Sequence, residues 1–297
     1  MKIIITGALG YIGGETLLRV SKRPDITVYA VDYDTRAIRD YGAYFSRWSN
    51  IKIINCDITD IEQVNQLPNA DLVVHLAAKV GYVSSNTQPE LTEMINVHAV
   101  KNIVQLAIPT VFFSTGSVYG KIGMTCDETV TPNPQTIYSK TKYQGEHEIK
   151  QIDHVIFRPA TAYGLSLHTR HDLVVHDLIK QSITNKKLEV YQPSAMRSFY
   201  SVQKLAELIE FCCDNFDKFK NNTYNVGCES GNMTKQQLLQ IIGSFNEFDY
   251  AIVPGADADN RDYNVCYNKL KLIWPNYDEN FIEKIPAILG YYKQWLQ

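Results

Sequence analysis

The sequence lacks several features that define other classes of protein. Its net charge is -3, so no basic excess points to nucleic acid or to a membrane surface as a partner. No apolar run approaches the roughly 20 residues of a membrane-spanning helix. The six cysteines are scattered without metal-ligand spacing, so we expect reduced thiols and no metal. Met1-Lys2 leads directly into an apolar strand rather than a signal peptide, which favours a cytoplasmic protein.

The sequence does contain an alternation of short β-branched runs with longer helical patterns. Helices are expected over 11–21, 90–107, 138–149 and 201–215. The runs between them are apolar on both faces, which is typical of a parallel sheet covered on both sides. These runs are KIIIT, TVYAVD, IKIINCD, ADLVVHLAA, TVFFSTGS and HVIFRPATAYG. The pattern predicts a doubly wound α/β domain with a parallel sheet.

The rhythm of the sequence changes past residue 164, but no Pro/Gly linker, repeat or low-complexity segment marks a boundary. We therefore expect a smaller C-terminal lobe that is interleaved with the first domain. Residues 1–164 form the predicted dinucleotide-binding domain, to which 201–227 return through a strand at YNVG. Residues 165–200 and 228–297 form the predicted substrate-binding lobe, with a short strand at LEVYQ and a last helix near 283–294.

The stretch TGALGYIGG places three glycines, Gly7, Gly10 and Gly13, between the first strand and the first helix. Glycine at such a turn lets the backbone approach a pyrophosphate. The helix N-terminus then presents free N–H groups and a positive dipole end. We predict dinucleotide binding at this turn, with Tyr11 and Ile12 in contact with the cofactor.

Asp32 ends the second strand and is expected to select the cofactor. A carboxylate at this position accepts both hydroxyls of the adenine ribose and repels a 2′-phosphate, which favours NAD over NADP. Asp57 and Ile58, after the third strand, are placed to meet the adenine. An alternative interpretation of Asp57 is a helix cap for the stretch DITDIEQV.

The stretch IYSKTKYQGE places Tyr138 and Lys142 four residues apart, so both side chains share one face of a helix. A free tyrosine titrates near pH 10, and a nearby ammonium favours its phenolate. Such a phenolate can take a proton from a sugar hydroxyl while hydride leaves for NAD, and Thr115 can hold the same oxygen. Tyr-x-x-x-Lys alone is a weak motif in a chain with 19 Tyr, because an ordinary helical surface explains it equally well.

Taken together, the motifs resemble the extended short-chain dehydrogenase/reductase family, in its NAD-dependent nucleotide-sugar epimerase/dehydratase branch. The resemblance runs nearly end to end and implies a Rossmann-type fold, NAD as cofactor, a nucleotide-diphosphate sugar as substrate and a homodimer. The matching stretches are TGALGYIGG, VVHLAA, NVHAVKNIV, FFSTGSVYG, YSKTKYQGE, FRPATAYG, RSFYSVQKLAELI, NVG and NRDYNV.

The resemblance also implies roles for single residues. Tyr138 would be the catalytic acid or base, Lys142 would hold the nicotinamide ribose and lower the tyrosine's pKa, and Thr115 rather than Ser114 would be the catalytic hydroxyl. Further cofactor contacts are implied at Leu76, Ala77, Ala78 and Asn96. Substrate contacts are expected at Ser117, Thr161, His176, Arg197 and Arg261.

The two arginines match positions that such enzymes aim at the substrate diphosphate, which a guanidinium pairs with bidentately. Surface ion pairs are the alternative for both Arg197 and Arg261. In the implied homodimer, helices around 93–107 and 138–149 pair across a two-fold axis. The apolar residues of these helices could equally pack on the sheet; they include Ile95, Val100, Ile103 and Val104.

Three departures from the family pattern narrow the expected chemistry. Gly116-Ser117 stands where dehydratases carry Asp-Glu, so the acid and base for water elimination are missing and 4,6-dehydration is disfavoured. Decarboxylases of the branch use a glutamate there and are disfavoured too. Thr161 occupies the asparagine position of the usual NVYG, and Gln203 replaces a usual acid, which affects substrate geometry rather than chemistry.

The expected reaction is NAD-dependent oxidation of a nucleotide-sugar hydroxyl. If the enzyme retains NADH and returns the hydride to the other face, the result is 4-epimerisation through a 4-keto intermediate. A net dehydrogenase or ketosugar reductase with exchangeable NAD(H) would use the same residues. A non-catalytic dinucleotide sensor is a third interpretation, but such relatives tend to lose the tyrosine or lysine that this chain contains.

Overall fold

The computed structural model describes residues 1–184, 187–254 and 262–296, and a seven-stranded parallel sheet lies at its centre. The strands are β1 Lys2–Thr6, β2 Thr27–Asp32, β3 Ile51–Asn55, β4 Leu72–His75, β5 Thr110–Phe113, β6 Lys121–Cys126, β7 His154–Pro159, β8 Thr161–Tyr163, β9 Lys187–Val190, β10 Met196–Ser201, β11 Asn222–Val226, β12 Asn232–Thr234, β13 Asp249–Ile252 and β14 Asp262–Val265. The α-helices are α1 Tyr11–Val20, α2 Thr35–Ala37, α3 Ala43–Phe45, α4 Ile61–Val64, α5 Tyr82–Thr87, α6 Pro89–Glu93, α7 Ala99–Gln105, α8 Ile137–Ile149, α9 Val174–Thr184, α10 Val202–Asp214, α11 Phe216–Phe219, α12 Lys235–Gly243, α13 Asn268–Ile273 and α14 Ile285–Trp295.

The central sheet has the order β11-β7-β5-β4-β1-β2-β3, and all its neighbours pair in parallel. The inner strands β1, β4, β5 and β7 are buried on both faces because helices cover both sides of the sheet. The predicted doubly wound, Rossmann-type α/β fold is therefore confirmed. Chain order reverses between β1 and β4, and open α/β sheets bind their ligands at such a switch point.

Two helical regions at the switch point have local features that position the site. The helix predicted over 90–107 is α6 and α7 joined by a π-helical turn at Met94–His98, a type of irregularity that often occurs at functional sites. Helix α8 begins with a capping box, in which the side chains of Thr136 and Ser139 each accept a hydrogen bond from the other's backbone N–H. This cap fixes where the helix that carries Tyr138 begins.

A second, smaller core is built from α9, α12, α14 and β10, around Val175, Phe199, Ile285 and Tyr292. Strand β11 lies beside β7 in the central sheet, where the YNVG strand was expected to return. The segment from Val265 to Tyr277 differs from the expectation, because it packs on the first core rather than on the lobe. Its anchor is Tyr267, whose ring lies against Gly227 so closely that a Cβ there would meet it at 2.5 Å.

Candidate active site

A cleft of about 590 Å³ lies at the carboxyl edge of the central sheet. Its walls come from the glycine turn after β1, the ends of β2 and β3, the loop after β4, the end of β5, helix α8 and the loop after β8. The cleft brings together most of the residues that the sequence predicted. They are Gly7, Gly10, Tyr11, Ile12, Gly13, Asp32, Asp57, Ile58, Leu76, Ala77, Ala78, Thr115, Ser117, Tyr138, Lys142 and Thr161.

The glycine turn forms a cradle that side chains would fill. Gly7 has a φ of +66°, and a Cβ there would lie 2.7 Å from the backbone nitrogen of Ala77. A Cβ on Gly13 would lie 2.3 Å from the carbonyl oxygen of Gly7. Gly10 is the N-cap of α1, so the first turn of that helix opens onto the cleft. Close backbone packing at a helix N-terminus fits a pyrophosphate.

Asp32 is held at the junction of this turn and the end of β2. One carboxylate oxygen accepts the backbone N–H of Leu9 at 2.9 Å, and the other accepts those of Tyr33 and Asp34 at 2.9 and 3.1 Å. The carboxylate therefore has a fixed position beside the cradle while it lines the cleft. This placement fits the predicted contact with a ribose.

Asp57 lines the cleft and does not cap a helix. Its carboxylate accepts the backbone N–H and the hydroxyl of Thr59 at 2.9 and 2.7 Å. The cap of α4 is Asp60, which accepts the backbone N–H of Glu62. The alternative interpretation of Asp57 as a helix cap is thus wrong, because the helix within DITDIEQV is capped by Asp60. Ile58 also lines the cleft.

Thr115, Tyr138 and Lys142 all line the cleft. Thr115 follows β5, and its hydroxyl donates to the Ser117 hydroxyl at 3.1 Å while it accepts the Ser117 backbone N–H at 3.2 Å. Ser114 also lines the cleft, but its hydroxyl donates to the buried Glu146 carboxylate at 2.5 Å. The choice of Thr115 over Ser114 as the reactive hydroxyl therefore fits these hydrogen bonds.

Lys142 is 2% exposed, and its electrostatic setting is unusual for a lysine. Burial lowers the pKa of its ammonium to about 7, and Glu146, one turn later on α8, acts in the opposite direction. The ammonium lies 4.2 Å from the centroid of the Phe112 ring. Lys142 thus changes its charge near neutral pH, in direct reach of the cleft.

Asn96 lies behind the cleft rather than in its wall. Its side chain accepts the backbone N–H of Lys79 at 2.8 Å and donates to the carbonyl of Lys79 at 3.0 Å. It also donates to the hydroxyl of Thr141 at 3.1 Å. Asn96 therefore fastens the loop that carries Ala77 and Ala78 to helix α8, and direct contact with a cofactor stays a prediction.

His176 does not reach the cleft and requires a correction. It is fully buried in the second core, where its Nε2 accepts the backbone N–H of Gly164 at 3.1 Å and its Nδ1 lies 3.2 Å from the Tyr292 hydroxyl. Burial lowers its pKa to about 4, so it stays neutral. The reason is its position on the inner face of α9, beside Tyr11, whose hydroxyl donates to the Gly164 carbonyl at 2.5 Å. A substrate contact does not fit this placement.

Arg197, one of the two arginines predicted to bind the diphosphate, is not among the residues that line the cleft. Arg197 is 4% exposed in β10, and its guanidinium donates to the carbonyl of Met196 at 3.0 Å. Its substrate role stays a prediction. Arg261 lies outside the described residues.

Among the cleft residues that sequence reasoning missed are His168 and Arg170, in the loop after β8. The His168 ring packs against Tyr41, and its Nδ1 lies 3.3 Å from the carbonyl oxygen of Leu9 in the glycine turn. Arg170 makes a bidentate ion pair with Asp172 at 2.6 and 2.5 Å, which raises the arginine's pKa. The one available signal was that this loop follows the carboxyl end of β7, a strand of the central sheet, through the short strand β8.

Two negative findings apply to the described ranges 1–184, 187–254 and 262–296. No group of three or more His, Cys, Asp and Glu side chains there is arranged to hold a metal ion. The helices in those ranges are too short or too polar to cross a membrane.

Comparison with known proteins identifies the class to which this fold and site belong. The model of the NAD dependent epimerase/dehydratase family matches residues 3–227. This span covers most of the chain, so the chain belongs to the NAD-dependent epimerase/dehydratase family. The sequence-based identification is confirmed, as is NAD as the cofactor of the family.

Individual relatives are more distant. An uncharacterised UDP-glucose epimerase of Bacillus subtilis (strain 168), YtcB, is 30% identical over 64% of this chain and 65% of that protein, just under two thirds of its length. A GDP-6-deoxy-D-talose 4-dehydrogenase of Aggregatibacter actinomycetemcomitans is 21% identical over 82% of this chain and 79% of that protein. Among solved structures, a UDP-glucuronic acid 4-epimerase of Bacillus cereus, in complex with UDP-glucuronic acid and NAD, is 22% identical. It has a TM-score of 0.86 over 99% of this chain and 100% of that chain, a likeness that shows the fold.

Proposed function

We propose that this chain is an NAD-dependent nucleotide-sugar 4-epimerase that acts through a 4-keto intermediate. The observation that carries the proposal is the lining of the cleft, which contains Thr115, Tyr138 and Lys142 together with a glycine cradle that fits a dinucleotide. The family and the names of several relatives, among them a UDP-glucose epimerase and UDP-glucuronate 4-epimerases, support it.

The cofactor would be held by the glycine turn at its pyrophosphate, by Asp32 at its adenine ribose and by Lys142 at its nicotinamide ribose. NAD supplies a hydride acceptor, and its reduced form a hydride donor. Tyr138 takes the proton of the sugar hydroxyl during oxidation and returns a proton during reduction. Thr115 donates a hydrogen bond to the same sugar oxygen, and the Lys142 ammonium lowers the cost of the phenolate.

The residues after Thr115 argue against elimination of water. Gly116 and Ser117 form a buried 3₁₀ turn there, and neither side chain is an acid or a strong base. Removing a proton next to a ketone and expelling a hydroxyl requires both. This favours epimerisation over 4,6-dehydration.

The test begins with the cofactor that co-purifies with the protein. We expect bound NAD(H), identified by absorbance and mass, and interconversion of C4 epimers in a screen of UDP-, GDP-, CDP- and dTDP-sugars. Because an epimerase regenerates its cofactor, no NADH should accumulate in solution. Conversion of no sugar in the presence of saturating NAD would contradict the proposal.

The second candidate is a net dehydrogenase or ketosugar reductase that exchanges NAD(H) with solution. The relative named GDP-6-deoxy-D-talose 4-dehydrogenase favours it, since its match spans more of this chain than that of the Bacillus subtilis relative. Release of one NADH for each sugar oxidised would identify this activity and exclude the epimerase.

Cofactor choice, assembly and location complete the proposal. Asp32 should make NAD bind more tightly than NADP, and fluorescence titration of both tests this.

We also propose a cytoplasmic homodimer built on α6, α7 and α8. Of the apolar residues on these helices, Val100 and Ile103 are fully buried against the sheet and Ile95 lines the cleft, whereas Val104 is only partly buried. Leu91 and Met94 are exposed nearby.

A further inference from the structure

Behind the wall that carries Lys142 lies a pair of buried rings, Phe112 of β5 and His75 of β4, which we call the aromatic shelf. The two rings are nearly parallel, at an interplanar angle of 13° and a centroid distance of 5.8 Å. Both side chains are fully buried. The Lys142 ammonium lies 4.2 Å from the Phe112 ring centroid, within the range of a cation–π contact.

The shelf is fixed from several sides. The Nδ1 of His75 lies 2.9 Å from the hydroxyl of Thr6, so the imidazole is tied to β1. Gly145 of α8 leaves room for the Phe112 ring, because a Cβ there would meet the ring's Cζ at 2.8 Å. The phenyl ring is therefore held against the helix that carries Lys142 and has little freedom to move away.

The charged and titratable groups around Lys142 do not make the ring redundant. On α8, Tyr138 precedes it by one turn, and Glu146 follows it by one turn. The Glu146 carboxylate already accepts two hydrogen bonds from Arg158, at 2.9 and 2.7 Å. From β4, His75 adds no charge, because burial and Lys142 lower its pKa to about 3.

We propose that Phe112, held by His75, is a positioning residue that keeps Lys142 protonated and in place for the cofactor ribose. The negative face of a desolvated ring stabilises an ammonium where water cannot. A neutral His75 completes the arrangement, since an imidazolium in its place would repel the ammonium. This inference rests on the role that the proposed function gives to Lys142.

The test measures NAD affinity against pH, which requires no sugar substrate. A protonated Lys142 binds the ribose, so the affinity of the wild-type protein should fall as pH rises through the pKa of Lys142. In Phe112→Leu, which keeps an apolar side chain without a ring, the midpoint of this fall should lie about one pH unit lower. Incorporation of 3,5-difluorophenylalanine at 112, which weakens the ring face and nearly preserves its shape, should shift the midpoint in the same direction by less.

Phe157→Leu is the matched control, because Phe157 is an equally buried phenylalanine of the neighbouring strand β7 that packs in a different part of the core. It should lower the melting temperature without moving the midpoint. A midpoint that is unchanged in both Phe112 variants, or an NAD affinity of the wild-type protein that does not depend on pH, would overturn the inference. A shifted midpoint in a protein that converts no sugar would leave the shelf standing and refute the proposed epimerase.

Discussion

The buried ammonium of Lys142 should lower the stability of the folded protein. Its pKa in the folded state is about 7, against 10.5 for a free lysine, so between these values the unfolded chain binds more protons. The stability of the folded state therefore rises with pH across this window, and the full penalty applies below about pH 7. Side chains that carry catalysis often oppose stability in this way.

Replacing Lys142 with methionine should therefore stabilise the cofactor-free protein while it abolishes turnover. We expect a gain on the order of 2–4 kcal/mol at pH 6, which shrinks toward zero near pH 10. Denaturant unfolding of both proteins across this pH range measures it. A methionine variant that is less stable than the wild type at pH 6 would show that the ammonium contributes favourable contacts that outweigh its burial.

Tyr138→Phe should keep the fold and the cofactor but lose most turnover, by about 10²–10⁴-fold, because it removes the proton-transfer hydroxyl and little else. Turnover with the cognate sugar, NAD affinity and melting temperature are the measurements. Thr115→Val provides a comparison, since it deletes a hydrogen bond to substrate and no charge, and should leave the pH profile in place. Turnover of the phenylalanine variant above about a tenth of the wild-type rate would remove Tyr138 from the mechanism.

Many of the predicted residues that line the cleft are connected by short spacings in the sequence. Tyr138 and Lys142 are one helical turn apart, and a strand-turn-helix with glycines defines its own geometry. Arg170 and His168 have no such local signature, because the loop that carries them reaches the cleft only through its packing on other elements. His176 was misplaced for the same reason, since its orientation depends on how α9 faces α14.

The glycine turn tolerates no side chain at its tightest point. In Gly13→Ala, the new Cβ would meet the carbonyl oxygens of Gly7 and Ala8 at 2.3 and 2.5 Å, so the turn must open. NAD affinity and melting temperature should both fall. Gly14→Ala is the matched control in the same helix, because the nearest atom to its new Cβ is the Ser166 Oγ at 3.8 Å. It should gain up to about 1 kcal/mol of stability through helix propensity. Equal losses in the two variants would show that the helix, not the cradle, is sensitive.

Helix α8 is anchored to the sheet by a buried ion pair between Glu146 and Arg158 of β7. Glu146→Ala leaves the guanidinium buried and unpaired, so the protein should lose about 3–5 kcal/mol. The double variant Glu146→Leu with Arg158→Met should recover much of this loss, because it removes both charges and keeps apolar volume. The denaturant midpoints of the wild type, Glu146→Ala and the double variant measure these differences in stability. A double variant no more stable than Glu146→Ala would mean that the other partners of this pair, the hydroxyls of Ser114 and Tyr119, matter more than its charges.

The order of the sheet could be anticipated because parallel strands joined by helices have few possible arrangements. Which segments form the smaller lobe could not be anticipated from the sequence. Short strands such as β12, β13 and β14 carry little periodicity, and their partners are distant in sequence. The segment from Val265 to Tyr277 returned to the first core because its aromatic side chains fit there, a preference that no local pattern encodes.

The proposed dimer is tested by light scattering at micromolar concentration, with a mass of two chains expected. Met94→Asp should produce a folded monomer, because Met94 is 47% exposed on the helical surface assigned to the interface. Leu272→Asp is the control, as that side chain is 85% exposed on α13, away from this surface. A wild-type monomer would refute the dimer, and a Met94→Asp dimer would place its interface elsewhere.

The insertion of the lobe between β7 and β11 has a consequence for synthesis. Residues that pair these strands are 67 positions apart, as Val155 and Asn222 illustrate. A ribosome adds about 5–20 residues each second, so synthesis of these 67 residues takes roughly 3–13 s, during which the outer edge of β7 is unpaired. Throughout that interval, the apolar strand His154–Pro159 presents unpaired backbone groups, which are a template for pairing with another nascent chain. Translation that stalls before β11 has left the ribosome should thus yield a chain that aggregates unless chaperones bind it, whereas stalling after β11 has emerged should not.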